Sequence, residues 1–170
     1  DLFCKSIERG GVTEKSSIVS APKTRNSSVL TDHEDSEVDV STGSISKTDY
    51  EIIQREKRLV KRYKKYLKDN NLGTFKKNLI SIPDVTKHLE TDGWVVETQT
   101  LIEAKAQSER THIRMAIGQL LDYQRHHIPK PKHLAILLPD LPNNDLVDLL
   151  HSQNIDIIYE EGDKFYEKKH

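Results

Sequence analysis

Asp92, Glu103 and Lys105 are the residues whose types and spacing could do chemistry together. They lie in residues 91–105, a stretch that reads as a β-hairpin carrying charge where a hairpin would rather be apolar. Side chains two apart in a strand point to the same face. Glu103 and Lys105 therefore share a face with Leu101, while Ile102 and Ala104 share the other. A turn at residues 97–99 brings Asp92 alongside Glu103 or Lys105, with side chains about 5 Å apart. Two carboxylates that close repel, and each has a raised pKa unless a cation lies between them. A hard divalent ion with oxygen ligands removes that conflict, and Lys105 beside it could hold a water or a developing anion. The competing reading makes Asp92 a turn residue helped by Gly93. Glu103 and Lys105 are then a solvated strand face with a weak ion pair.

The residues that follow must supply the support. Residues 108–127 have helical periodicity, with Ile113, Ala116, Ile117, Leu120, Leu121 and Gln124 on one stripe. Ser108 is the expected N-cap and Pro129 lies just past the end. Gln119 and Tyr123, four apart, line up beside the stripe, next to the core but still polar. Three elements in this order, Thr91-Asp92, then Leu101-Ile102-Glu103-Ala104-Lys105, then Arg114-Met115-Ala116-Ile117-Gly118-Gln119-Leu120-Leu121-Asp122-Tyr123, resemble the PD-(D/E)xK, or restriction-endonuclease-like, nuclease superfamily. The resemblance is to the subgroup whose nuclease helix carries a Gln-xxx-Tyr element, and it covers roughly residues 51–166. Thr91 stands where a proline usually precedes the aspartate.

The resemblance implies a metal-dependent endonuclease that hydrolyses DNA phosphodiester bonds, of the kind found as the nuclease domain of larger restriction or defence proteins. It implies Asp92, Glu103 and the Ala104 carbonyl as ligands of Mg²⁺, with Mn²⁺ able to substitute, and Lys105, Gln119 and Tyr123 as further catalytic residues. Double-stranded DNA is the implied partner, a homodimer is admitted, and domains of this kind commonly follow a separate DNA-reading domain, which would fit the linker-like beginning. A DNA-binding domain on the same fold without catalysis is the alternative.

Composition bounds these readings. At 170 residues the chain is one domain with a tail, and its net charge of -1 excludes a uniformly basic nucleic-acid binder. Charge is uneven: residues 47–77 are strongly basic, whereas Asp32, Glu34, Asp35, Glu37 and Asp39 form an acidic stretch. The single cysteine, Cys4, excludes a disulfide framework or a cysteine-based zinc site within the chain. No apolar run reaches membrane-span length and no signal peptide is visible, which makes a reducing cytoplasm the expected setting.

In chain order, residues 1–46 are rich in Ser, Thr, Gly and charge. They read as a linker or extension, or the end of an upstream domain, with short patches such as Val29-Leu30 able to dock. The nuclease-like domain is expected over residues 47–170. Thr48 or Asp49 is the expected N-cap of a helix running to about Leu67, with Ile52, Ile53, Leu59, Val60, Tyr63 and Leu67 buried. Glu56 falls inside that stripe, where an unpaired carboxylate is costly. Either it reaches the hairpin as an extra metal or water ligand, as the resemblance also suggests, or it snorkels to water. The outward face of this helix carries Arg58, Arg62 and Lys65; with Arg114 these are the candidate DNA contacts. Strands are expected at residues 75–82, 133–138, 155–159 and around Phe165, with a short helix capped by Asn143 or Asn144. His88 is a further candidate near the site. The order of elements predicts an α/β fold, a mixed β-sheet flanked by helices on both faces with a restriction-endonuclease-like core.

Overall fold

A computed structural model describes residues 27–32, 46–83 and 85–170. The elements are β1 (Ser27–Thr31), α1 (Lys47–Asp69), β2 (Phe75–Ser81), β3 (Leu89–Glu90), β4 (Gly93–Val95) and β5 (Thr100–Ala104), followed by α2 (Arg110–His126), β6 (His133–Leu138), α3 (Asn144–Ser152), β7 (Ile155–Glu161) and β8 (Lys164–Lys168). One mixed sheet runs in the order β1-β2-β4-β5-β6-β7-β8, with β3 pairing β2 off that path. The strands β5, β6 and β7 are parallel, and the flanking pairs are antiparallel.

The sheet is parallel only in its middle because α2 and α3 provide the crossovers that parallel strands require. Strand β6 is aliphatic after His133 since both its faces are covered. Leu134, Ile136 and Leu138 pack with Ile113, Ala116 and Leu120 of α2 and with Leu146, Val147 and Leu150 of α3. Ala135 and Leu137 pack on the opposite face with Leu59, Val60, Tyr63 and Leu67 of α1. Helices thus cover both faces, as the order of elements predicts.

The N-cap of α1 is Ser46 rather than Thr48 or Asp49. Ser46 Oγ accepts from the Asp49 N–H at 3.1 Å and donates to Asp49 Oδ2 at 2.7 Å, so Asp49 serves the first turn from inside it. Helix α2 begins one residue later than Ser108 predicts. Its N-cap, Glu109, makes no side-chain cap bond, and Ser108 Oγ donates instead to the Asp140 carbonyl at 2.9 Å. Asn143 caps α3 as expected, accepting from Leu146 N–H at 3.1 Å.

Residues 27–31 depart from the linker reading, because β1 pairs antiparallel with β2 along its whole length and forms an edge of the sheet. Val29 and Leu30 are the docking patch, although both stay largely exposed on the edge strand. Cys4, the patches Leu2-Phe3 and Ile18-Val19, and most of the acidic stretch lie outside the described residues. Among those described, no helix is long and apolar enough to cross a membrane.

Gly93 is required by packing. A Cβ there would collide with the ring of Phe75, which Tyr63 holds edge-on at 5.7 Å. We expect Gly93→Ala to destabilise the domain by on the order of 2–3 kcal/mol through overpacking, read as a lowered urea midpoint at unchanged slope.

Candidate active site

The hairpin turns at residues 96–99, and its register sets Gly93 opposite Ile102 and Val95 opposite Thr100. Continued one step, that register puts Asp92 opposite Glu103. Asp92 lies between β3 and β4, where the pairing with β2 is bulged. Glu90 stands opposite Leu79 and Trp94 opposite Lys76, so residues 91–93, three in number, face residues 77–78, two in number. A bulge bends its strand and re-aims a side chain. Here Asp92 Oδ2 turns towards β5 and accepts from the Ala104 N–H at 2.8 Å. A strand residue sends its N–H and C=O to the same side, so the Ala104 carbonyl also faces Asp92.

Glu103 and Lys105 share a face, but that face is not solvated. Their side chains are 3% and 5% exposed, which removes the weak-surface-pair reading, and Lys105 Nζ donates to Glu103 Oε1 at 2.6 Å. The Lys105 N–H bonds the Leu137 carbonyl at 3.0 Å, carrying the strand geometry one residue beyond β5 and keeping Lys105 on Glu103's side. Burial raises Glu103 to about 8, with the Asp92 charge adding to the rise and Lys105 opposing it. Asp92 is also raised, chiefly by burial, while the Ala104 N–H and Lys105 pull it down. Glu103 Oε2 is buried with no hydrogen-bond partner. A buried acceptor in this state calls for a donor or a cation.

Helix α1 delivers Glu56 to the same neighbourhood. Its Oε1 accepts from the Ala106 N–H at 3.3 Å, so it is anchored to backbone rather than paired with Arg55 or Lys57. Burial raises its pKa, Lys105 lowers it and Asp92 raises it again, which places all three charges within reach of one another. Helix α2 brings Gln119 and Tyr123, whose amide and hydroxyl lie 3.4 Å apart. The Tyr123 hydroxyl is raised by burial and by the Glu103 charge, and Gln119 Oε1 is buried without a partner. Tyr123 belongs to the buried stripe of α2, not merely beside it.

The ligand set fits Mg²⁺. All donors are oxygens, two buried carboxylates with raised pKa values would be ionised by a cation, and Glu103 has a spare buried oxygen. Among the described residues no three His, Cys, Asp or Glu side chains gather into a metal-holding cluster. Mg²⁺ keeps several waters and is usually held by one or two carboxylates and substrate phosphate oxygens.

His88 and the basic row of α1 fall elsewhere. His88 is exposed and meets Ser81 Oγ at 2.9 Å rather than the carboxylates. On α1, Arg62 grips Glu160 through two bonds of 2.6 and 2.7 Å, Lys65 pairs with Asp69, and Arg58 Nε donates to the Gln54 carbonyl at 3.2 Å. The expected one-sign face is therefore partly self-neutralised. The Arg62–Glu160 pair also sets this row over β7, two strands or about 10 Å from β5. Arg114 is exposed on α2, and no carboxylate pairs with it among the described residues.

Sequence reasoning passed over His112. It lies in the first turn of α2, its Nδ1 is buried without a partner, and its charge bears on Glu56. The signal was its spacing, since residues 112, 116, 119 and 123 share one helical face.

No family model, curated protein or solved structure matches this chain.

Proposed function

We propose that this domain is a Mg²⁺-dependent endonuclease hydrolysing DNA phosphodiester bonds on a restriction-endonuclease-like core. The observation that carries this reading is the meeting of Asp92, Glu103 and Lys105 at the end of β5, with a buried Glu103 oxygen left unpartnered. Asp92, Glu103 and the Ala104 carbonyl would hold the cation, with Glu56 the further candidate from α1. When bound, Mg²⁺ lowers the pKa of a coordinated water and polarises a phosphoryl oxygen.

The chain's own groups do the rest. Lys105, buried and fixed by Glu103, presents a positive charge that orients the attacking water and stabilises the anionic oxygens of the phosphorus centre. The Gln119 amide and Tyr123 hydroxyl offer hydrogen bonds to the phosphate or to the lysine and its water. The water oxygen gives up a proton to solvent and bonds to phosphorus as the bond to the leaving deoxyribose oxygen breaks, and that oxygen takes up a proton from solvent.

The test is supercoiled plasmid incubated with Mg²⁺ or with chelator. Nicking only with metal is the expected result. A mobility shift without nicking would favour the non-catalytic DNA-binding alternative, and neither effect would remove DNA from the account.

The distribution of ion pairs adds a prediction about the DNA face. An arginine without a carboxylate gives up no ion pair on meeting phosphate, whereas Arg62 must first leave Glu160. We expect Arg114→Ala and Arg58→Ala each to weaken DNA binding and to flatten the plot of log affinity against log salt by about one. Arg62→Ala should change the slope by less. Equal effects from all three in fluorescence anisotropy would refute this ordering.

A further inference from the structure

Asn78, Thr91 and His127 are buried polar residues near Asp92 that the hydrolysis scheme does not use. Burying such groups is costly unless they are bonded, and these three form one continuous chain. The Thr91 N–H donates to the Asn78 carbonyl at 3.0 Å, and the Asn78 N–H donates to Thr91 Oγ1 at 3.1 Å. The Asn78 side-chain amide meets His127 Nε2, and His127 Nδ1 lies 2.6 Å from the Pro129 carbonyl. A carbonyl only accepts, so Nδ1 carries the hydrogen and Nε2 accepts from the asparagine amide. Trp94 packs over the imidazole with ring centres 4.2 Å apart.

The ends of this chain of bonds are informative. One end is Thr91, within the bulge and adjacent to Asp92. The other is His127, the C-cap of the helix that carries Gln119 and Tyr123. A bulge disrupts the ladder locally and leaves a residue unpaired, and here the Thr91 hydroxyl takes up the Asn78 N–H. A valine or alanine at position 91 could not do so, and a slip of the bulge by one residue would turn Asp92 away from β5.

We propose that Asn78, Thr91 and His127 are positioning residues that lock the bulge in register. They hold the Asp92 carboxylate against the Ala104 N–H and tie it to the end of α2. The placement of Asp92 stands on geometry alone, whereas its consequence for cleavage rests on the nuclease reading above.

Thr91→Val keeps the side-chain shape and loses the hydroxyl, and Thr91→Ser keeps the hydroxyl. Amide hydrogen exchange followed by NMR compares the Ala104 N–H, held by Asp92 at 2.8 Å, with that of Ile102 in the same strand. In Thr91→Val the Ala104 amide is expected to exchange about tenfold faster with Ile102 unchanged, and Thr91→Ser is expected to match the wild type. Unchanged Ala104 protection, or equal acceleration at both amides, overturns the proposal. Should Thr91→Val not fold, Asn78→Ala, which keeps the backbone bonds to Thr91 and cuts the link to His127, tests the other half of the chain, with about threefold faster exchange selective for Ala104 expected and no selectivity refuting the proposal. In plasmid cleavage with Mg²⁺, Thr91→Val should lower kcat at unchanged KM, with Thr91→Ser near wild type. A wild-type protein that does not cut removes the nuclease reading, and the exchange comparison still decides the positioning.

Discussion

Glu103→Gln is expected to abolish Mg²⁺-dependent cleavage while raising the Tm of the metal-free protein at pH 8. Both effects come from one charge. Glu103 is pushed up to about 8 by burial and by Asp92, so the folded state favours its neutral form. An acid raised on folding contributes stability that is fully present below its unfolded pKa and is lost as pH rises through its folded pKa. For Glu103 that window runs from 4.5 to about 8, and the difference corresponds to a ceiling of about 5 kcal/mol. Asp92 is raised too and acts in the same direction. The metal-free wild type should therefore lose Tm between pH 5 and pH 8, and Mg²⁺ or Mn²⁺ should restore part of it by favouring the ionised pair. Glutamine stays neutral, can accept from Lys105 where Glu103 Oε1 now does, and replaces the orphaned oxygen with a group able to donate towards Asp92. Its advantage should be largest at pH 8 and vanish near pH 5. Cleavage should fall by at least about 10³, because one of the ion's two anionic hairpin ligands is gone. A Glu103→Gln enzyme that cuts near the wild-type rate would show that the hairpin is not the site, whatever its melting curve.

The central architecture was legible because its signals are local and periodic. The aliphatic run of β6, the stripe of α1 and the two-residue alternation of β5 each state which side is buried. From alternation alone follow the shared face of Glu103 and Lys105 and the separation of Leu101 from Ile102. The cap of α1 was misplaced because Ser46, Thr48 and Asp49 are all good capping residues, and only the tertiary structure selects among them. β1 was missed because an edge strand of serine and threonine with two exposed aliphatics carries little more signal than a linker.

The site was legible only in its charged members. The bulge at residues 91–93 depends on register between strands distant in sequence, and no local pattern announces it. The same holds for the buried partners Asn78 and His127, 49 residues apart. The basic face of α1 was over-read for a related reason: Glu160, which neutralises Arg62, lies 98 residues away. Counting charge along a helix cannot see a carboxylate supplied by another strand.

Lys105 separates catalysis from metal storage most sharply. It lies two residues after Glu103, and its Nζ is 2.6 Å from a carboxylate oxygen that would otherwise serve a cation. A protonated amine cannot ligate a metal, and its charge opposes cation binding by Coulomb repulsion, a repulsion little screened at a buried position. Lys105→Met removes the charge and still fills most of the buried volume that alanine would leave empty. At pH 8 the variant is expected to bind Mn²⁺ as tightly as the wild type or tighter in calorimetric titration. DNA affinity in the presence of calcium, as a non-catalytic ion, should change little, because one phosphate contact among many is lost. Single-turnover cleavage should nevertheless fall by on the order of 10² or more, the scale seen when one preorganised charge stabiliser is removed. Loss of metal binding together with activity would instead make Lys105 a structural partner that keeps Glu103 ionised. Activity near wild type would remove Lys105 from the chemistry and leave Asp92 and Glu103 as a metal-binding pair without a catalytic cation of their own.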